Sequence, residues 1–190
     1  MRIIGGKAKG RRLRAPGKPT ASGGLSIRPT PDPVREALFN ILGNSIEGAY
    51  LLDVFAGTGA VSVEALSRNA GRATLLESSQ RALLLALANL SSCGFSRDFY
   101  RILPGDALSS LASLAESKEA FDFIFLDPPY ESDLGGKALK IIAQGKLLRE
   151  RGKMILEHSS REKPVKDQGG LKRVDSREYG DTTLSFYEHG

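Results

Sequence analysis

The sequence predicts an α/β protein: a doubly wound, seven-stranded sheet with five parallel strands and a C-terminal antiparallel hairpin. Three observations lead there. From Tyr50 onwards, short apolar runs alternate with helically spaced segments, the pattern of right-handed crossovers that place helices on both faces of a mostly parallel sheet. Beyond Leu171 the alternation stops, and two strand-like runs follow one another with no helix between them, which favours antiparallel pairing. Finally, 190 residues with 41% apolar and 26% charged side chains are enough for one such core and exclude disordered, collagen-like and fibrous chains.

The elements are justified in order. Arg2–Ile4 and Arg11–Arg14 flank a Gly- and Lys-rich turn and predict a small β-hairpin. Residues 16–33 hold five of the nine prolines and read as a linker. Asp32 then serves as an N-cap with Pro33 at the first helical position, and Val34, Ala37, Leu38, Ile41 and Leu42 are helically spaced up to Gly43. Strands follow at Tyr50–Phe55, Arg72–Glu77, Tyr100–Leu103, Phe121–Leu126 and Lys153–His158. Between them lie helices Ala60–Arg68, Ser79–Ser91, Ala107–Ser117 and Leu134–Ala143. Leu171–Arg177 and Thr183–Glu188 form the terminal hairpin. The expected organisation is a basic hairpin and linker over residues 1–31 and a main domain over residues 32–190.

The net charge of +5 is unevenly distributed. Residues 1–31 contain eight of the 27 Lys and Arg residues and no acid, so the remainder carries a net −3. That asymmetry fits a polyanion-binding arm on a mildly acidic body, and equally a solvated tail. One cysteine, Cys93, allows no internal disulfide and no Cys-based metal cluster, and two histidines make a metal site unexpected. No apolar run approaches the ~20 residues that span a bilayer, and no secretory signal is legible, so a cytoplasmic protein without membrane contact is expected.

The chemistry-bearing residues fall at the ends of successive strands, where doubly wound sheets bind ligands. The first group is Asp53-Val54-Phe55-Ala56-Gly57-Thr58-Gly59. Its glycines allow close backbone approach, and the following helix offers unpaired N–H groups. A dinucleotide site would want a third glycine where Ser62 stands. An acid beside the turn repels a pyrophosphate but accepts from an ammonium; the motif alone also describes a plain strand-to-helix turn. Glu77 ends the second strand, where a carboxylate can accept from both hydroxyls of a ribose. Asp106 follows the third, placed for an adenine amino group or simply as a helix cap. Asp127-Pro128-Pro129-Tyr130 follows the fourth. Its prolines remove donors and leave carbonyl acceptors beside Asp127, which suits an exocyclic NH2, and Tyr130 offers a stacking face.

In this order, DVFAGTG, Glu77, Asp106 and DPPY resemble the S-adenosylmethionine-dependent amino-methyltransferases with a (D/N)PP(Y/F) signature. Arg28-Pro29-Thr30, the helix VREALFNIL and Tyr179-Gly180-Asp181-Thr182 sharpen the likeness to the RsmD-type 16S ribosomal RNA guanine-N2 methyltransferases, over essentially the whole chain. Ser62-Val63 and Ser78-Ser79 depart from common family choices. The resemblance implies a class I methyltransferase (Rossmann-like) fold, with residues 32–190 as the methyltransferase domain. S-adenosylmethionine is the implied cofactor and S-adenosylhomocysteine the product. It places Gly57 and Gly59, with Ala56 and Thr58, against the methionine part and Asp53 near its ammonium. Glu77 and Ser78 come to the ribose, Asp106 and Ala107 to the adenine, and Arg28 and Thr30 to the pocket border. Asp127, Pro128, Pro129 and Tyr130 are the implied catalytic group. Lys7, Lys9, Arg11, Arg12 and Arg14 would clamp phosphates of 16S ribosomal RNA in an assembled small-subunit particle. His158 could line the base pocket, although a structural role comes first, and the motif set needs only a monomer.

Three alternatives remain at this stage. A DNA adenine or cytosine amino-methyltransferase shares the signature, but 190 residues leave no room for the usual target-recognition domain. A non-catalytic RNA-binding assembly protein could keep the fold, against which the intact acids and DPPY speak. A nicotinamide-dependent dehydrogenase lacks its third glycine.

Overall fold

Five parallel strands in the order β3-β2-β1-β4-β5 continue into antiparallel β8, β7 and β6, giving one eight-stranded sheet. The computed structural model describes residues 1–15, 30–130 and 132–190. The parallel strands are β1 (Tyr50–Val54), β2 (Arg72–Glu77), β3 (Tyr100–Pro104), β4 (Phe121–Leu126) and β5 (Leu148–Ser159). The antiparallel ones are β6 (Asp167–Gln168), β7 (Leu171–Tyr179) and β8 (Thr182–His189). The helices are α1 (Asp32–Leu42), α2 (Ala60–Ser67), α3 (Gln80–Ser92), α4 (Ala107–Glu116) and α5 (Leu134–Gly145).

Strand alternation divides the core in two. Leu51, Leu75, Phe123, Phe125 and Ile155 pack with α1, α2, α3 and the N-terminal segment. Leu52, Val54, Leu76, Ile124, Leu126 and Leu156 pack with α4 and α5 on the other face. Because successive side chains alternate across a sheet, Asp53 joins the first face and stands beside Phe125 in the β1–β4 register.

Three elements differ from the sequence expectation. A short β6 adds an eighth strand; two residues are too few to leave a periodic signal. β5 starts at Leu148 instead of Lys153, since Leu148 pairs with Phe121 and the register then shifts before Phe123 meets Lys153. The polar Arg149-Glu150-Arg151 stretch hides that beginning. Asp32 lies inside α1, with Pro31 at the N-cap and no side-chain cap bond; its carboxylate instead pairs with Arg35 one turn on, at 2.9 Å.

The N-terminal hairpin is reduced to one antiparallel bridge between Arg2 and Arg12. Ile3, Ala8 and Leu13 are buried in the first core. Fully buried Glu64 of α2 accepts the backbone N–H groups of Ile4 and Gly5, both at 2.8 Å. It also accepts from Arg68 Nε at 2.9 Å. Arg35, also fully buried, donates to the carbonyls of Thr30 and Arg2. A buried charge is tolerable only when paired and hydrogen-bonded, so this network dictates how the hairpin sits on α1 and α2. The linker expected over 16–33 lies outside the described residues as far as Pro29.

Candidate active site

The C-terminal ends of β1, β2, β4 and β5 surround a cleft of about 450 Å³. Thr30, Asp53, Phe55, Ala56, Gly57, Thr58, Glu77 and Ser78 line it, as do Asp127, Pro128, Pro129, Tyr130 and Glu157. The sequence-predicted groups on three strands thus converge. The turn after β1 needs left-handed backbone: Phe55 has φ 65°, Gly57 φ 54° and Gly59 φ 70°. Only the glycines adopt it freely, and a bulky residue such as Phe55 is held there at a cost typical of functional sites.

Asp53 is buried, and one of its carboxylate oxygens accepts both the backbone N–H (3.2 Å) and the hydroxyl (2.6 Å) of Ser62. Burial pushes its pKa up from 3.8 to about 6, against the lowering effect of the Ser62 bonds; the nearby Glu77 charge adds to the rise. Glu77 holds two loops together, since Oε2 accepts from Gly57 N–H and Oε1 from Ser79 N–H, both at 2.7 Å. An ionised carboxylate has about four acceptor positions, so each oxygen can take a further hydrogen bond from a ligand.

Beyond β4, the Asp127 N–H donates to the Val54 carbonyl at 3.3 Å, fixing the start of the loop beside β1. Pro128 is buried, and a Cβ on Gly135 of α5 would come within 3.2 Å of its ring. Glycine at that position therefore lets α5 close over the proline. Continuing the Leu126–Leu156 register sets Asp127 beside Glu157 on the face that carries Asp53. Glu157, only 2% exposed, was missed by sequence reasoning. Strand alternation could have found it, because Ile155 and Glu157 share a face and His158 points to the other. His158 has the structural role: its Nε2 bonds to Ser185 Oγ (2.9 Å) and its Nδ1 to the Ser159 carbonyl (2.8 Å).

Other expected site residues lie elsewhere. Gly59 caps α2 and faces the core, where an added Cβ would meet Ala86 and Leu75 at 3.2 Å. Asp106 caps α4, with one oxygen accepting the N–H and hydroxyl of Ser109 at 2.8 Å. It lines a neighbouring groove with Arg101, Leu103 and Pro104, and Ala107 is buried beneath it. Arg28 lies outside the described residues.

The five hairpin cations Lys7, Lys9, Arg11, Arg12 and Arg14 are exposed. They do not ring the cleft: Lys7 N–H donates to the Ser67 carbonyl at the far end of α2, whereas Arg14 sits next to Asn89. Asn89, buried on α3, accepts the Arg14 N–H (2.7 Å) and donates to the carbonyls of Arg14 (3.1 Å) and Thr58 (2.9 Å). One side chain thereby joins the hairpin to the cleft wall.

The chain matches the family model described as Conserved hypothetical protein 95 over residues 1–188. It is 34% identical over 157 residues to Ribosomal RNA small subunit methyltransferase D of Escherichia coli (strain K12), covering 83% of this chain and 74% of that one. It is 32% identical over 188 residues to YlbH of Bacillus subtilis (strain 168), covering 99% and 98%. The name of YlbH gives rRNA methyltransferase as a provisional function. The structure of yhhF from Escherichia coli, described provisionally as a methyltransferase, superposes with a TM-score of 0.81 at 30% identity, over 100% of this chain and 97% of that one.

Proposed function

The chain belongs to the RsmD-type family, whose model carries the description conserved hypothetical protein 95, and on that premise we propose that it methylates the exocyclic N2 amino group of a guanine in small-subunit (16S) ribosomal RNA. The methyl donor is S-adenosylmethionine. The observation that carries this reading is the convergence, in one cleft, of Asp53, Glu77 and the Asp127-Pro128 acceptors.

The cleft suits the donor chemically. Acids serve a ligand bearing an ammonium and a sulfonium, and Phe55, Ala56 and Val61 supply apolar walls. When bound, S-adenosylmethionine supplies a methyl group activated by its positively charged sulfur. Asp53 takes the ammonium, the Gly57 backbone permits close approach, and the remaining acceptor positions of Glu77 take the ribose hydroxyls. Thr30 and Ser78 border the pocket. Asp106, in the groove next to the cleft, would meet an adenine amino group that extends there through the oxygen not bonded to Ser109.

The guanine amino nitrogen is a weak nucleophile because its lone pair is delocalised into the ring. Asp127 and the Pro128 carbonyl accept its two hydrogens, which orients the lone pair and favours pyramidal nitrogen as attack proceeds. As the N–C bond forms the C–S bond breaks, so the sulfur would leave as the neutral thioether of S-adenosylhomocysteine, and the surplus amino proton passes to water during or after attack. Tyr130 stacks on the base once it has left its neighbours in the RNA. No covalent bond to the protein is required, and Cys93 is a buried packing residue whose thiol pKa burial pushes up. A single chain supplies the whole cleft, so a monomer suffices.

The test is transfer of labelled methyl to unmodified small-subunit RNA, naked and in assembled particles, followed by digestion and mass spectrometry of the nucleosides. Label in N2-methylguanosine, strongest with the assembled particle, is expected. Label in a methyladenosine, or in none, would overturn the reading.

A further inference from the structure

Of the five large apolar side chains that are exposed among the described residues, two are aromatic, Tyr50 (44%) and Phe99 (42%). Both lie at the end of the sheet opposite the cleft. Tyr50 opens β1 and pairs in register with Arg72, which opens β2. Ala73 pairs with Tyr100, so Arg72 also stands beside Phe99. The Arg149 guanidinium lies 5.1 Å from the Tyr50 ring centre. The Lys7 ammonium lies 5.4 Å from that of Phe99 and 5.1 Å from that of Phe95. Taken by strand register and ring contact, the order across this end of the sheet is cation, ring, cation, ring, cation: Arg149, Tyr50, Arg72, Phe99, Lys7.

We propose that this row is a second RNA-docking surface, which takes a single-stranded stretch of the substrate with bases on Tyr50 and Phe99 and phosphates on the flanking cations. The inference rests on the reading that the chain acts on RNA. At ~4.8 Å between neighbouring strands, the backbone positions that carry the two rings are about 10 Å apart, a spacing that suits bases unstacked from one another. Rings alternating with cations match the alternation of base and phosphate in a single strand. A protein partner would call for a contiguous apolar patch instead.

Two acids belong to the same surface and support this arrangement. Asp122 accepts from Arg149 at 2.7 Å and from the Tyr50 N–H at 2.8 Å, which holds the guanidinium over the ring. Glu119 pairs with Arg101 at 2.9 Å beside them. Exposed pairs of this kind are weak, so a phosphate can compete for either arginine. Arg72 has no ion-pair partner among the described residues. Arg97 and Asp98, in the loop before Phe99, cancel in charge. Docking here, about 16 Å along β1 from the cleft, orients a large substrate while the amino group enters the catalytic end.

The test compares the full chain with two double variants, Tyr50→Ser/Phe99→Ser and Tyr50→Phe/Phe99→Tyr, in titrations of a short unstructured oligoribonucleotide without cofactor. The serine pair should bind at least about tenfold more weakly, and the ring-preserving pair within about twofold of the parent. Ultraviolet crosslinks should map to peptides containing Tyr50 or Phe99. On ribosomal RNA the serine pair should raise KM about tenfold with kcat nearly unchanged. Unchanged binding by the serine pair, equal loss in both pairs, or crosslinks confined to the cleft would overturn the proposal. So would a dimer that the serine pair dissolves without any effect on RNA affinity. Absence of methyl transfer by the parent chain would count against the proposed function alone, because oligonucleotide binding is read independently of it.

Discussion

Ser62 donates its backbone N–H and its hydroxyl to the same carboxylate oxygen of Asp53, at 3.2 and 2.6 Å. The position where a dinucleotide-binding loop would carry its third glycine thus fastens the first turn of α2 to the acid at the end of β1. Ser62 has a defined use: it offsets part of the cost of burying Asp53.

That cost makes donor binding pH-dependent. Asp53 titrates at about 6 in the folded chain, against 3.8 ordinarily. A raised carboxyl pKa contributes stability that is complete below the ordinary value and lost as pH rises through the folded one. Near neutral pH the free protein therefore carries an ionised buried carboxylate, at no more than about 3 kcal/mol, and an ammonium ligand makes use of it. Calorimetric affinity for S-adenosylmethionine should fall below pH 6, approaching tenfold per unit. Asp53→Asn, whose amide oxygen still accepts from Ser62, should flatten that dependence, weaken affinity and raise the apo Tm at pH 8. A lower Tm for Asp53→Asn would contradict the cost assigned to Asp53.

Glu77 bridges two loops by accepting from Gly57 and Ser79. In Glu77→Gln one amide oxygen remains for two N–H groups, while the NH2 opposes the second. With hydrogen bonds to a charged group worth about 1.5–3 kcal/mol each, the variant should bind the donor at least tenfold more weakly. Equilibrium dialysis reads the loss, and parental affinity would show that neither the loops nor the ribose depend on this carboxylate.

Glu64 and Arg35 predict a large stability effect away from the chemistry. Arg35 Nε lies 3.7 Å from Glu64 Oε2 with both side chains fully buried. Among the described residues, Glu64→Gln leaves the guanidinium with Asp32 as its remaining ionic partner. Breaking a buried pair from one side costs about 3–5 kcal/mol. Urea unfolding should register a drop of that order, and hydrogen exchange at Ile4 and Gly5 should quicken first.

The hairpin cations are best probed by charge reversal, because Ile3, Ala8 and Leu13 belong to the core and deleting the segment would destabilise the protein. Lys9→Glu/Arg12→Glu should weaken RNA binding and reduce the slope of log K against log salt by roughly 1.5–2. An unchanged slope would remove these residues from the phosphate contacts.

What the sequence discloses divides along physical lines. The succession of strands and helices and the acids at strand ends are legible because apolar runs and turn chemistry are local. Asp127-Pro128-Pro129-Tyr130 is legible because two prolines confine the backbone by themselves. Arg35 is not among the helically spaced apolar positions of its helix, and nothing near it reveals that Glu64, 29 positions later, will neutralise it. Asn89 links Arg14 to Thr58 across separations that local patterns do not span. Asp106 is ambiguous in the opposite sense, since an acid two residues past a strand fits a ligand contact and a helix cap equally well, and the Ser109 bonds engage only one of its oxygens as the cap. Glu157 and His158 differ by a single step of strand alternation, and the register with β4 chooses between them.

The account depends most on the acceptors at the end of β4. The direct measurement is the single-turnover rate of methyl transfer to small-subunit RNA by Asp127→Ala, at saturating donor and RNA. With one acceptor of the amino hydrogens removed, the rate should fall at least about a hundredfold, while donor affinity stays within about threefold of the parent. A parental rate from Asp127→Ala would contradict the account.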